Sequence, residues 1–157
     1  MSMPLSLKGV VAMSGIGTCL WFDGQAEEAA NFYVSLFPNS RILEVSPMTV
    51  SFELDGRSFR GLNGGPAFTF NEAISFELFF ETQEELDSKW AEFTADGGQE
   101  SQCGWLKDKY GLSWQLIPTM LPSVLGGTDP AGAQRAMTAM LGMSKLDIAA
   151  LQAAYDG

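Results

Sequence analysis

A chain without histidine must do any acid–base or binding chemistry with other groups. The strongest candidates fall on predicted strands. In Ile74–Glu81, ISFELFFE, one carboxylate stands among aromatic residues. Successive strand side chains face opposite ways, so Ser75, Glu77 and Phe79 share one face and Phe76, Leu78 and Phe80 the other. A carboxylate on a cleft wall between aromatics loses hydration, which favours its protonated form unless a cation offsets the loss. Such a Glu77 can serve as a general base or as an acceptor for a ligand. Arg60, in DGRSFRGL, can hold an anionic or carbonyl group, and Gln115, in YGLSWQLI, can join it in stabilising an oxyanion. The competing account is a structural Glu77–Arg60 pair that closes the cleft, because buried ion pairs are costly and often not catalytic.

Other groups carry weaker signals. Cys19 could be a nucleophile only if something stabilised its thiolate, and no histidine is present to act as its base. Cys103 lies beside Gly104 near a hairpin, where a structural thiol is the simpler reading. Trp21 and Trp105 suit the walls of a pocket for a flat ligand, with core packing as the alternative. Asn63 precedes Gly64-Gly65 in the loop LNGGPAFTFNEA, Leu62–Ala73. Its amide can orient a ligand at a cleft rim or cap a turn, and the paired glycines suit a lid or hinge.

These residues need elements to hold them, and the chain supplies the same set twice. Shifting LWFDGQAEEAANFYVSLF by 58 positions places Leu20 on Leu78, Phe22 on Phe80, Asp23 on Glu81, Gln25 on Gln83 and Phe32 on Trp90. Each copy reads as a strand, a short turn and a helix with carboxylates in its first turn, where the helix dipole favours them. Thr82 and Glu85 fit a capping box. The breaks FPNS and ADGG end the helices. Strands then follow at Arg41–Ser46, Thr49–Leu54 and Ser58–Leu62 in the first copy, with Asp55-Gly56 turning. In the second they follow at Gln99–Cys103, Trp105–Asp108 and Leu112–Ile117, with Tyr110-Gly111 turning. The pattern is βαβββ, twice. The alternation puts Gly17, Cys19, Trp21, Ser58, Arg60 and Leu62 on a cleft face with Ser113, Gln115 and Ile117. Leu20, Phe22, Leu112, Trp114 and Leu116 pack behind.

The tail differs in composition. Asp129-Pro130 predicts a helix start, Gly142 its end, and Ser144 the cap of a second helix. Ala136, Met137, Met140 and Leu141 share one predicted face; Leu146, Ala149, Ala150 and Ala153 share another. These faces can pack on the domain or on a partner subunit. Met-rich faces also serve as adaptable binding surfaces.

Composition excludes whole classes of function. The 157 residues carry a net charge of −10, which repels a phosphate backbone, so no nucleic-acid partner is expected. No apolar run is long enough to span a bilayer, so no membrane association is expected. Two cysteines and no recognisable secretion signal suggest reduced thiols and a cytoplasmic location. A structural zinc site would need more sulfur or imidazole.

Three long stretches resemble a known family: CLWFDGQAEEAANFYVSLFPNS, LNGGPAFTFNEAISFELFFETQEELDSKW and CGWLKDKYGLSWQLIP. They are similar to the PhnB-like proteins of the glyoxalase/bleomycin-resistance, or vicinal oxygen chelate, superfamily. Some members of this family bear the label 3-demethylubiquinone-9 3-methyltransferase. The resemblance implies an α+β fold of two βαβββ modules forming facing curved sheets, with a C-terminal helical extension. The expected layout is a domain over 14–118, with modules near 16–64 and 73–118, helices over 119–157 and a flexible extension over 1–13. Metal-dependent members use His or Glu near the start of each module's first strand and Glu near the end of its last. Here those places fall at or near Gly17 or Thr18, Arg60, Ser75 and Gln115, which suit no divalent metal. No metal or cofactor is therefore expected. The implied function is binding of a small aromatic or amphipathic compound, with Cys19, Trp21, Arg60, Asn63, Ser75, Phe79, Trp105 and Gln115 lining the site. The alternative is a metal-free lyase or isomerase with Glu77 as base. The paired modules and apolar tail suggest a homodimer. A methyltransferase of the common kind needs a doubly wound sheet and a glycine loop opening a helix, whereas Gly15-Ile16-Gly17 leads into a predicted strand.

Overall fold

A computed structural model describes residues 15–157, so the extension expected at 1–13 lies outside the described residues. The chain divides into two compact units, with the boundary between Thr69 and Phe70.

The first unit runs β1 (Thr18–Phe22), α1 (Ala26–Leu36), β2 (Arg41–Val45), β3 (Thr49–Leu54) and β4 (Arg57–Asn63). Its sheet has the order β1-β4-β3-β2, with β1 parallel to β4 and the other pairs antiparallel. Asp55 and Gly56 both take left-handed φ values, 50° and 74°, as a two-residue hairpin matching the strand twist requires. Helix α1 packs on β3 and β4. Ala26, Ala29, Ala30 and Tyr33 form a buried core with Leu20, Phe22, Val50, Phe52 and Phe59. Gly61 makes the close approach possible, because a Cβ there would stand 3.0 Å from that of Ala26.

The second unit repeats the plan with β5 (Ser75–Phe80), α2 (Gln83–Thr94), β6 (Gln99–Glu100), β7 (Trp105–Lys107) and β8 (Ser113–Pro118). Sheet order is β5-β8-β7-β6, and β5 runs parallel to β8. The twofold βαβββ pattern is thus realised, as is the α+β class. Thr82 caps α2 by accepting from the Glu85 amide at 3.2 Å. Leu86, Trp90 and Phe93 bury against Leu106, Trp114 and Leu116, with the Phe93 and Trp114 ring centres 4.8 Å apart. Strand β6 is shorter than the predicted Gln99–Cys103. Cys103 and Gly104 adopt φ values of 58° and 86°, which turn the chain back before pairing can extend.

Three helices follow in the same unit: α3 (Leu121–Leu125), α4 (Pro130–Leu141) and α5 (Ile148–Asp156). Asp129 caps α4 and Gly142 ends it, as predicted. The cap of α5 is Asp147 rather than Ser144. Residues 143–147 instead form a strap whose carbonyls are already engaged. Met143 and Ser144 accept from the amides of Cys103 and Gly104, and Leu146 accepts from Gln83. Leu146 is fully buried outside any helix, and Leu151 is the buried residue of α5. Met137 and Leu141 stay exposed, so the predicted apolar face of α4 is only partly covered. No helix among the described residues is long and apolar enough to cross a membrane.

Candidate functional site

Each sheet has one face under its helix and one face turned away from it, and register decides what shares that second face. In the first unit, Cys19 pairs with Arg60 and Arg60 with Ser51, which places the three side chains in one row. Trp21, Leu62 and Thr49 form the next row. Cys19 and Arg60 are both exposed, and Arg60 makes no ion pair among the described residues. Trp21 is half-buried. Its indole N–H donates to the Gly65 carbonyl at 2.9 Å, and Phe68 meets its ring edge-on at 4.9 Å. A Cβ on Gly64 would overlap the Trp21 ring, and Gly65 sits at φ 91°. Both glycines are therefore needed for the loop after β4 to lie against the indole.

Asn63 has a structural task. Its Oδ1 accepts from the Ala26 amide at 2.9 Å and its Nδ2 donates to the Pro47 carbonyl at 3.1 Å. The first bond satisfies a donor that the α1 N-terminus leaves unpaired, where Gln25 provides no side-chain cap. The sequence reading allowed a turn cap here; the amide caps a helix 37 residues away.

In the second unit the corresponding face carries three rows. Ser75, Ser113 and Lys107 form the first, from β5 across β8 to β7. Glu77, Gln115 and Trp105 form the second, and Phe79 and Ile117 begin the third. Gln115 Nε2 donates to Ser75 Oγ at 2.9 Å. Glu77 is exposed. The alternation gave its face correctly but could not say whether anything covered it. Glu77 lies in the second unit and Arg60 in the first. Within its own sheet the strand neighbour of Glu77 is Gln115, and that of Arg60 is Cys19. Phe79 is 60% exposed.

Alternation placed Ser113 on this face, whereas Lys107 and Glu72 were not singled out from sequence. Lys107 forms an ion pair with Glu72, from the segment leading into β5. Hydrogen bonding from Lys107, and then its charge, hold the Glu72 carboxyl below its usual range. Ser113 is fully buried, and its hydroxyl has no hydrogen-bond partner among the described residues. The alternation in Trp105–Lys107 would have placed Lys107 beside Ser113; the Glu72 contact had no sequence signal.

The positions at which the resemblance implied metal ligands hold, at or near, Gly17 or Thr18, Arg60, Ser75 and Gln115. A guanidinium repels a cation, and neutral hydroxyl and amide groups bind it weakly. Among the described residues, no group of three or more His, Cys, Asp or Glu side chains is placed to hold a metal. The side chains at those positions are not the donor set that a divalent ion requires. Gly15-Ile16-Gly17 leads directly into β1 rather than into a helix, and neither sheet is doubly wound.

Residues 14–117 match the sequence profile of the family described as 3-demethylubiquinone-9 3-methyltransferase. A solved structure from Bacillus cereus, provisionally described as a 3-demethylubiquinone-9 3-methyltransferase, PhnB protein, is 35% identical. The alignment covers 66% of this chain and 98% of that one, with a TM-score of 0.61. A glyoxalase-related enzyme from Fulvimarina pelagi shares 11% identity over 69% of this chain and 91% of its own, with a TM-score of 0.50. A gene product from Arabidopsis thaliana shares 16% over 67% and 98%, with a TM-score of 0.51. The last two likenesses concern the fold alone. No curated protein matches the chain.

Proposed function

Because the chain belongs to the family described as 3-demethylubiquinone-9 3-methyltransferase, the PhnB-like proteins of the glyoxalase/bleomycin-resistance superfamily, we propose that it binds a small aromatic or amphipathic molecule without a divalent metal. One observation carries this reading. Where a chelate would need two ligands in the second unit, Ser75 and Gln115 are hydrogen-bonded to each other. That bond satisfies two polar groups with each other, and the same pair still offers Gln115 Oε1 and the Ser75 proton to a ligand. Trp105, Ile117 and Phe79 share the face of that pair and supply apolar surface in the second unit; taken by itself, the first unit carries a separate apolar cluster of Trp21, Leu62 and Phe68. The fold hosts unrelated chemistries, so the methyltransferase description is not carried over to this chain.

The test is a thermal-shift screen of small aromatic acids, amines and neutral ring compounds, run with Mg²⁺, Mn²⁺, Ni²⁺ or Zn²⁺ and again with a chelator. A compound at 100 times its Kd stabilises the native state by about 2.7 kcal/mol, which the screen resolves. The expected hit is indifferent to metal and chelator. A shift that needs a metal and vanishes with the chelator overturns the reading. Glu77→Gln then separates binding from catalysis: turnover that disappears while binding persists would replace the binder with a metal-free enzyme. Self-association as a homodimer is part of the proposal, supported by the exposure of Phe79, Ile74 and Phe68. Sedimentation velocity checks it, and a single monomeric species at micromolar concentration refutes it.

A further inference from the structure

The row Ser75–Ser113–Lys107 holds a polar group that the fold has not satisfied. Ser113 lies on the interior strand β8, is 0% exposed, and its buried hydroxyl has no hydrogen-bond partner among the described residues. Burying a hydroxyl unpaired is unfavourable, so an unpartnered one in a native structure calls for a missing partner. Its two neighbours in register show what that partner is. Lys107, directly across on β7, presents an ammonium on the same face. Ser75, directly across on β5, already accepts from Gln115 and keeps its own proton to donate. Adjacent strands lie about 4.8 Å apart, so the three groups span roughly 10 Å. All three can donate, and a group that only accepts suits them best. The fold provides an example: Glu72 places its carboxylate on Lys107 from the adjoining segment.

We propose that Lys107, Ser113 and Ser75 form an anchor for the carboxylate of a small-molecule ligand, and that Glu72 occupies its lysine until the ligand displaces it. The proposal rests on the small-molecule reading above and gives that ligand an acid group. The chain carries 9 basic residues against 19 acidic ones, so an ammonium facing this surface is a scarce resource. Both partners of the Glu72–Lys107 pair are partly exposed, at 59% and 33%, which leaves the pair easy to exchange. The next row, with Trp105 and Gln115, would lie against the body of a ring acid.

Benzoate and its uncharged analogue benzyl alcohol test this on the full chain by isothermal titration, with ligand-detected NMR for weak binding. Glu72→Gln removes the internal competitor, and benzoate should bind about threefold tighter, as expected for displacing a weak exposed pair. Lys107→Met and Ser113→Ala should each weaken benzoate about tenfold or more, the scale of a hydrogen bond to a charged group. Benzyl alcohol should bind all variants alike. Ser113→Ala should also melt no lower than the parent chain, because it deletes a buried donor that has no partner. The anchor is overturned if benzoate is indifferent to Lys107→Met and Ser113→Ala, or if Ser113→Ala lowers the melting temperature. If benzyl alcohol still binds in that case, the small-molecule reading survives without its acid group. If neither ring compound binds any variant, both fall.

Discussion

Replacing Asp108 with Asn should remove a large share of the stability of the second unit, although the change swaps only an oxygen for an NH₂. Asp108 is 2% exposed and lies in the turn between β7 and β8. Its Oδ1 accepts from the amides of Tyr110 and Leu112 at 2.8 and 3.1 Å, and its Oδ2 accepts from Trp114 Nε1 at 2.9 Å. All three partners are donors, so the ionised carboxyl is the form that serves them. Asparagine can keep its oxygen on the two amides, but its NH₂ then faces the indole N–H, donor against donor. A hydrogen bond to a charged group contributes about 1.5–3 kcal/mol, and an unsatisfied buried N–H costs about 1–3 kcal/mol more. The two figures overlap, so the expected loss is about 3–4 kcal/mol, a large fraction of the 5–15 kcal/mol typical of a domain. Urea unfolding followed by tryptophan fluorescence and far-UV dichroism reads it, with the m-value unchanged. Trp114→Phe removes the opposing donor. In the double variant the two losses should fall short of additive by about 1–2 kcal/mol. A loss below about 1 kcal/mol for Asp108→Asn, or strict additivity, would refute this account of the turn. The functional stake is direct, since this turn sets Lys107 opposite Ser113.

Other consequences can be checked with modest effort. Gln83→Ala should cost about 1–3 kcal/mol, because its amide serves both the Leu146 carbonyl and the Ile148 N–H, and hydrogen exchange should quicken at Ile148. Gly64→Ala should drive the loop off Trp21, seen as a shifted tryptophan emission and a destabilisation of about 1–3 kcal/mol. Asp87, held below its usual range by Gln83 and then Lys145, and Glu72, held down by Lys107, stabilise the fold when ionised. Their contribution is complete above the ordinary values of 3.8 and 4.5 and is lost as the pH falls through the lower folded-state values. The melting temperature of the Asp87→Asn, Glu72→Gln chain should therefore decline less than the parent's on that acid limb.

Much of the architecture was legible because it rests on local rules. The repeat gave the two βαβββ units, Asp55-Gly56 fixed a hairpin, and alternation assigned Cys19, Arg60, Glu77 and Gln115 to their faces. What escaped depends on distant partners. Ser144 has the chemistry of a cap, yet its carbonyl is taken by Gly104, and the helix waits for Asp147. Asn63 looked like a ligand contact or a turn residue because nothing nearby reveals that the Ala26 amide lacks a cap. Glu77 was assigned to the right face, but its hydration depends on what covers that face, which no strand pattern encodes. Alternation could have placed Lys107 on its face, but its ion pair with Glu72, from outside any strand, had no sequence signal.

The strap at 143–147 has a practical corollary for anyone handling this protein. Leu146 seats against Gly104, and the strap carbonyls take the N–H groups of Cys103 and Gly104. A gene trimmed after Leu141 to obtain a tidier domain would lose that plug and leave a greasy notch with two stranded amides. The tail must travel with the fold.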